Sequence, residues 1–168
     1  MSDRTPILVA DIGGTNARFA LADVSPSIKV SQLEILATED YDSLQEAALA
    51  YLAGTTGTRP KIASIAIAGF VANDHVQMTN CPWAFRKSKL ATELGMERIS
   101  VQNDFAAIAC ALPFLEGDDL LQIGAGAIDP LGNKVVIGPG TGIGVAALAP
   151  VGDGWKVLAS EGGHVGFA

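Results

Sequence analysis

The residues with the clearest chemical potential fall into four short groups. These are Asp11 with Gly13-Gly14-Thr15-Asn16, then Asn103-Asp104, then Gly138-Pro139-Gly140-Thr141-Gly142, and finally Glu161-Gly162-Gly163-His164. The first and third share a layout: an apolar run enters a Gly-Gly or Gly-x-Gly turn, a Thr follows, and an alternating apolar segment leaves. Glycine lets backbone come close to a ligand, and successive N–H groups form a concavity that holds an anion. Two such turns can grip a polyphosphate from both sides, with the Thr15 and Thr141 hydroxyls as further donors. One turn alone reads equally well as a tight hairpin with no ligand. The matched pair, the first preceded by Asp11, moves the reading toward a nucleotide. No G-x-x-x-x-G-K-[ST] occurs, and neither turn satisfies G-x-G-x-x-G, so Walker A and dinucleotide fingerprints are excluded. Asp11 stands where its strand meets the turn. A carboxylate there must be solvated or paired, which a Mg²⁺-bound water beside phosphates would achieve, as would a plain hydrogen bond to backbone.

These groups need elements to position them. The apolar run Ile7–Ile12, the glycine turn and the alternating run Ala17–Val24 read as strand, turn, strand, with Val30–Ala37 a third strand. Asp42 with Gln45 predicts a capping box for an amphipathic helix through Leu52, stopped near Gly54. Ile62–Ala68 is dense enough in apolar residues for a strand covered on both faces. Ala72-Asn73-Asp74 suits a turn before a short strand at Val76–Met78, and Arg86–Leu94 a helix ended by Gly95. A short strand at Ile99–Val101 runs into Asn103-Asp104, followed by a helix over Phe105–Leu112 that Pro113 ends. Asp104 thus lies at the carboxyl end of a buried strand, where open α/β sheets place ligand chemistry, and it is equally well placed to cap the helix after it. Glu116–Asp119 is a polar connection. Strands at Val135–Ile137, Val145–Ala149 and Trp155–Ala159 follow, the last two joined by a hairpin at Gly152-Asp153-Gly154. Helices alternate with strands only in the middle of the chain, so the expected architecture is α/β with a mixed sheet.

Composition narrows the partners. The chain has 168 residues, a formal charge of −7 and 49% hydrophobic against 17% charged residues. Its mean hydropathy is +0.33 and its pI is near 4.6. It can bury a real core, and its acidity disfavours a broad nucleic-acid footprint. Nothing approaches the ~20 consecutive apolar residues of a membrane span, and Asp11 interrupts the N-terminal apolar run too early for a secretory signal. A cytoplasmic location is the expectation. Cys81 and Cys110 lack CxxC spacing or a His pair, as suits two reduced thiols.

Read together, Asp11-Ile-Gly-Gly-Thr-Asn-Ala-Arg, Met78-Thr-Asn-Cys-Pro-Trp-Ala-Phe, Gln102-Asn-Asp-Phe, Gly138-Pro-Gly-Thr-Gly-Ile-Gly and Glu161-Gly-Gly-His closely resemble the bacterial glucokinase family, within the hexokinase–actin–heat-shock ATPase superfamily. The resemblance runs in order from Ile7 to the last residue. It implies a ribonuclease H-like/actin-like ATPase fold, with a small α/β domain over residues 1–114 and the beginning of a larger domain over 115–168, the two flanking a cleft. It also implies ATP-dependent phosphorylation of glucose to glucose 6-phosphate, at the start of glycolysis. Asp104 would be the general base that takes the 6-hydroxyl proton. Asn80, Asn103, Asp104, Glu161 and His164 would bind the sugar. Ala10, Asp11, Ile12, Gly13, Gly14, Thr15 and Asn16, with Gly138, Gly140, Thr141 and Gly142, would hold the ATP phosphates, and Asp11 would hold Mg²⁺ through water. Trp83 and Phe85 read as packing that shapes the sugar-side loop, and His75 as plain surface. Arg18 is expected to pair with an acidic residue. Glu161 and His164 lack the further ligands a zinc site needs.

Family members continue past Ala168. The chain is therefore expected to be a truncated form or one half of a split enzyme, inactive or very weak alone, with apolar surface that favours the missing half, self-association or a homodimer. Two other classes compete with the kinase reading. A non-enzymatic sugar-sensing module would retain Glu161 and His164 but need a basic helix-turn-helix, and no basic N-terminal segment exists. An actin- or chaperone-like ATPase would not require Asn103-Asp104 or the Glu161/His164 pair.

Overall fold

The computed structural model describes residues 5–24, 27–139 and 142–164. The chain packs as two compact units, Met1–Asp104 and Phe105–Ala168.

The first unit is built on a five-stranded sheet of order β3-β2-β1-β4-β8. Strands β1 (Ile7–Ile12), β2 (Asn16–Asp23) and β3 (Lys29–Ala37) form an antiparallel meander. Strands β4 (Ile62–Ile67) and β8 (Arg98–Asn103) continue the sheet parallel to β1. The sheet is mixed, as the flanking hairpins and central helices of the sequence require. Alternation in β2 and β4 sends Ala17, Phe19, Ala63, Ile65 and Ile67 into the core, where Phe19 stacks on Tyr51 with ring centroids 5.3 Å apart. Each fully buried large side chain of this set is worth about 1.5–3 kcal/mol relative to exposure. The expectation that β4 is covered on both faces needs correction. Ser64 on its second face is exposed and Ile62 and Ala66 are half-buried, so within this unit one face of the strand carries the core.

Helix α1 (Leu44–Gly54) lays Leu44, Ala47, Ala48, Tyr51 and Leu52 on that core. Its start differs by one residue from the sequence reading. The Ser43 hydroxyl accepts the Glu46 N–H at 3.2 Å, and the Glu46 carboxylate accepts the Asp42 N–H at 2.9 Å. The cap is therefore Ser43, whose hydroxyl takes the N–H of the third helical residue, with the Glu46 carboxylate reaching back to Asp42, in place of a box made by Asp42 and Gln45. The Tyr51 hydroxyl donates to the Gln32 carbonyl at 2.9 Å, supporting Gln32 at a φ of 52° in the edge strand β3.

A second, antiparallel sheet inside this unit was only partly legible. It joins β5 (Gly69–Ala72), β6 (His75–Met78) and β7 (Ala84–Arg86), of which the sequence suggested β6 alone. Four- and three-residue strands are too short to show a period. Asn73 supplies the left-handed turn residue at φ 47°. Asp74, next in that turn, accepts both the N–H and the hydroxyl of Ser88 at 2.8 Å and so caps helix α2 (Lys87–Leu94) from outside it. Gly95 closes α2 in the left-handed conformation at φ 67°, as its position predicted. His75 is exposed.

Helix α3 (Asp104–Ala111) follows β8 directly. The second unit then has a three-stranded antiparallel sheet of order β11-β10-β9, formed by β9 (Lys134–Pro139), β10 (Ile143–Val151) and β11 (Gly154–Ser160). Gly152 and Asp153 make the tight β10–β11 turn, with Gly152 at φ 57°. Ala146 and Leu148 are its buried strand residues, whereas Val135, Ile137 and Leu158 stay exposed. Among the described residues no helix is long and apolar enough to cross a membrane.

Candidate active site

In the first unit the parallel register does the positioning. Ile12 pairs with Ile67 and Ile67 with Asn103, so β1, β4 and β8 end level with one another. The Gly13 turn, the Ala68-Gly69 link and Asp104 consequently leave the same edge of one sheet. With strands about 4.8 Å apart, the backbone at the glycine turn and at Asp104 are separated laterally by about 10 Å. This is the carboxyl edge, the usual ligand side of parallel strands.

Short-range contacts knit that edge. Ala68 N–H donates to the Ile12 carbonyl at 2.9 Å, and Thr79 N–H to the Ala68 carbonyl at 3.2 Å. The Asn103 side-chain amide donates to the Gly69 carbonyl at 3.2 Å, tying the strand end that carries Asp104 to the start of β5. Asn103 and Asp104 are half-buried. Asn80 is exposed and lies directly against Gly14: a Cβ added to Gly14 would sit 2.9 Å from the Asn80 Cβ and 3.0 Å from its carbonyl oxygen. Neither Gly13 nor Gly14 has a left-handed φ, so Gly14 is glycine for lack of space, not for backbone conformation. A cleft of about 350 Å³ opens here, lined among others by Gly14, Thr38, Glu39, Asn80, Cys81 and Trp83. Trp83 is buried and its indole N–H donates to the Tyr41 carbonyl at 3.1 Å, which makes it the packing residue its type suggested.

The first glycine turn has its own internal bonds. Gly13 N–H donates to the Asn16 carbonyl at 2.9 Å. The Thr38 hydroxyl donates to the Gly14 carbonyl at 2.7 Å and its N–H to the Thr15 carbonyl at 3.0 Å. Asp11 is exposed, with one carboxylate oxygen 3.1 Å from the Arg18 guanidinium, its antiparallel neighbour in β2. A solvent-exposed carboxylate is the donor type Mg²⁺ takes, one or two at a time, while it keeps most of its waters.

The second unit gathers its candidates in the same manner. β9 ends at Pro139, opposite Ile143 of β10, and Ser160 pairs with Val145, so Glu161 emerges beside the start of β10. The short 3-10 turn Gly162–His164 packs on β10, with Gly163 so close to the Ile143 carbonyl that a Cβ could not fit. Glu161 is exposed and Gly142 faces open space. Gly140 and Thr141 lie outside the described residues, as does the His164 side chain. Gly138 and Gly144 are cross-strand partners, and the ring of Phe105 fills the space where their side chains would be. An aromatic ring over a paired-glycine gap is a packing reason for both glycines, beside any role in holding an anion.

Three comparisons bear on this arrangement. The family model described as Glucokinase matches residues 8–168. The chain belongs to the glucokinase family. It is 45% identical over 165 residues to the glucokinase of Saccharophagus degradans, covering 97% of this chain and 51% of that protein. It is 44% identical over 163 residues to the glucokinase of Chromobacterium violaceum, covering 97% and 46%. The crystal structure of a glucokinase from an Antarctic psychrotroph superimposes with a TM-score of 0.86 at 39% identity, covering 99% of this chain and 53% of that one. A ROK family glucokinase from Streptomyces griseus, solved with glucose and AMPPNP, shares the fold at a TM-score of 0.62 and 23% identity, covering 90% and 46%. The fold is therefore the actin-like ATPase class expected from the sequence. The chain spans about half the length of the curated glucokinases it matches.

Two residues that pack against glycines of these turns escaped sequence reasoning, Thr38 in the first unit and Phe105 in the second. Thr38 follows a strand and looks like ordinary loop, yet it is buried and holds the first glycine turn. Phe105 carried a faint signal, an aromatic immediately after Asp104, but its partners Gly138 and Gly144 become a pair only once the β9–β10 register is known. Among the described residues no group of three or more His, Cys, Asp and Glu side chains gathers as a metal cluster.

Proposed function

We propose that this chain carries sugar- and phosphate-handling residues of a cytoplasmic, ATP-dependent glucose kinase that feeds glycolysis. The observation that supports it best is the common sheet edge from which the Gly13–Thr15 turn and Asp104 emerge, with Asn80 and Asn103 bonded or packed against it. A lateral separation of about 10 Å leaves room for a sugar hydroxyl at one end and a phosphate chain at the other.

In this reading Asp104 accepts the proton of the glucose 6-hydroxyl as that oxygen forms its bond to the γ-phosphorus and the bond to the β-bridging oxygen breaks, releasing ADP. Asn80, Asn103, Glu161 and His164 hold the remaining hydroxyls, using carboxylate and amide acceptors with amide and imidazole donors. Backbone N–H groups within the turn at 14–16, and those of Gly138, Gly140, Thr141 and Gly142, hold phosphate oxygens. Mg²⁺, when present with the nucleotide, neutralises phosphate charge, and Asp11 is the residue that would hold it through water. We assign residues 1–114 to the small domain and 115–168 to the beginning of the larger one. Activity of this chain by itself is expected to be very weak, because it spans half of its relatives' length.

The test is binding by residue together with turnover. Glucose should move the amide signals of Asn80, Asn103, Asp104, Glu161 and His164, and Mg·ATP those of residues 13–16, Gly138 and residues 140–142. Asp104→Asn should keep the glucose response and abolish whatever glucose-dependent ADP release the wild-type chain shows. Glucose that perturbs none of these signals would refute the assignment. Turnover unaffected by Asp104→Asn would remove the base, and robust turnover by the unaltered chain would overturn the expectation of weakness.

A further inference from the structure

We infer that Thr38 is a positioning residue for the first phosphate turn, an inference that rests on the phosphate-holding role proposed for that turn. It is the buried polar residue of this edge, at 4% exposure. It bonds two successive peptide planes: its hydroxyl takes the Gly14 carbonyl at 2.7 Å, and its N–H takes the Thr15 carbonyl at 3.0 Å.

The consequence follows from peptide geometry. In a planar trans peptide the C=O and the N–H of one unit point in opposite directions. The Gly14 carbonyl shares its plane with the Thr15 N–H, and the Thr15 carbonyl shares its plane with the Asn16 N–H. Pulling both carbonyls toward Thr38 therefore turns the Thr15 and Asn16 N–H groups to the other side. Two consecutive N–H groups facing one way form an anion-binding concavity. Gly13 cannot join them, because its N–H is spent on the Asn16 carbonyl. The donors for a phosphate at this turn are thus the peptides of Thr15 and Asn16, and Thr38 sets their direction from a different strand end without touching the ligand.

The two bonds can be separated. Thr38→Val removes the hydroxyl and keeps the backbone N–H, so it should free the Gly14–Thr15 plane and leave the Thr15–Asn16 plane held. Thr38→Ser keeps both. The probe is sodium tripolyphosphate, followed through the Thr15 and Asn16 amide signals of the whole chain, with folding checked by Trp83 fluorescence in a Trp155→Phe background. Wild type should respond at both amides. Thr38→Val should bind about tenfold more weakly, the loss of roughly one charge-assisted hydrogen bond, with the Thr15 response reduced more than that of Asn16. Thr38→Ser should restore both. If Thr38→Val does not fold, Thr38→Ala serves in its place, removing the same hydroxyl without the added methyl. A wild-type response that Thr38→Val leaves unchanged overturns the positioning role while the phosphate reading stands. Silence of both amides in wild type overturns the phosphate reading and this inference with it.

Discussion

Gly14 offers the sharpest test of how the candidate edge is packed. In Gly14→Ala the new Cβ would lie 2.9 Å from the Asn80 Cβ and 3.0 Å from the Asn80 carbonyl oxygen. Carbon atoms in comfortable contact sit about 3.5–4.0 Å apart, so something must move by at least roughly half an ångström. The obstacle is backbone and Cβ, not a flexible tip, and neighbouring Thr79 is held to Ala68 at 3.2 Å. Overpacking of this kind costs about 1–3 kcal/mol, offset by about 0.4–1 kcal/mol from the stiffer unfolded chain, for a net loss of about 0–2.6 kcal/mol. Gly13→Ala is the control. Its Cβ would meet only the Asn16 carbonyl, at an ordinary 3.5 Å, so its change should stay within about 1 kcal/mol of zero. The assay is urea denaturation in a Trp155→Phe background, which leaves Trp83, buried in the first unit, as the one tryptophan reporter of the two in the chain. Equal midpoints for the two alanine variants would refute the close approach of Asn80 to the turn.

Two further predictions concern pH and the core. The Ser88 N–H and hydroxyl, with smaller help from Arg86 and His75, hold the Asp74 carboxyl below the usual carboxylate range. A depressed folded value means that its stabilisation is present above the ordinary aspartate range and fades as pH falls through the folded value. Asp74→Asn should therefore flatten the acid limb of the stability curve below about pH 4, and an unchanged limb would count against the cap. Burial, with the Glu34 carboxylate as a lesser cause, pushes the Tyr51 hydroxyl above its usual range. A raised value in the folded state stabilises below the ordinary tyrosine pKa and is lost as pH climbs through the folded one. Tyr51→Phe should cost about 0.5–1.5 kcal/mol at neutral pH, the worth of the bond to Gln32, and should reduce the stability loss above about pH 10. Identical alkaline denaturation of the two proteins would show that Tyr51 does not titrate in this way.

What the sequence determined by itself was local and periodic. A continuous apolar run set β1, an alternating one β2 and a dense one β4, a glycine set the end of α2, and the helix after Asp104 followed from its apolar run. The four chemical groups were legible because glycine turns and strand-end carboxylates announce themselves within a few residues. What the tertiary structure decided depends on distance in sequence. The level ends of β1, β4 and β8 place the Gly13 turn beside Asp104, residues 91 apart in numbering, through a parallel register that no local pattern encodes. Thr38 became part of the turn because an antiparallel neighbour brought its hydroxyl to a carbonyl 24 residues away. Gly14, Gly138 and Gly144 look alike in the sequence, but they are glycine because Asn80 or the Phe105 ring occupies the space beside them. Side-chain type and short spacing are properties of the chain, whereas steric exclusion and the direction of a peptide plane are properties of what packs against it.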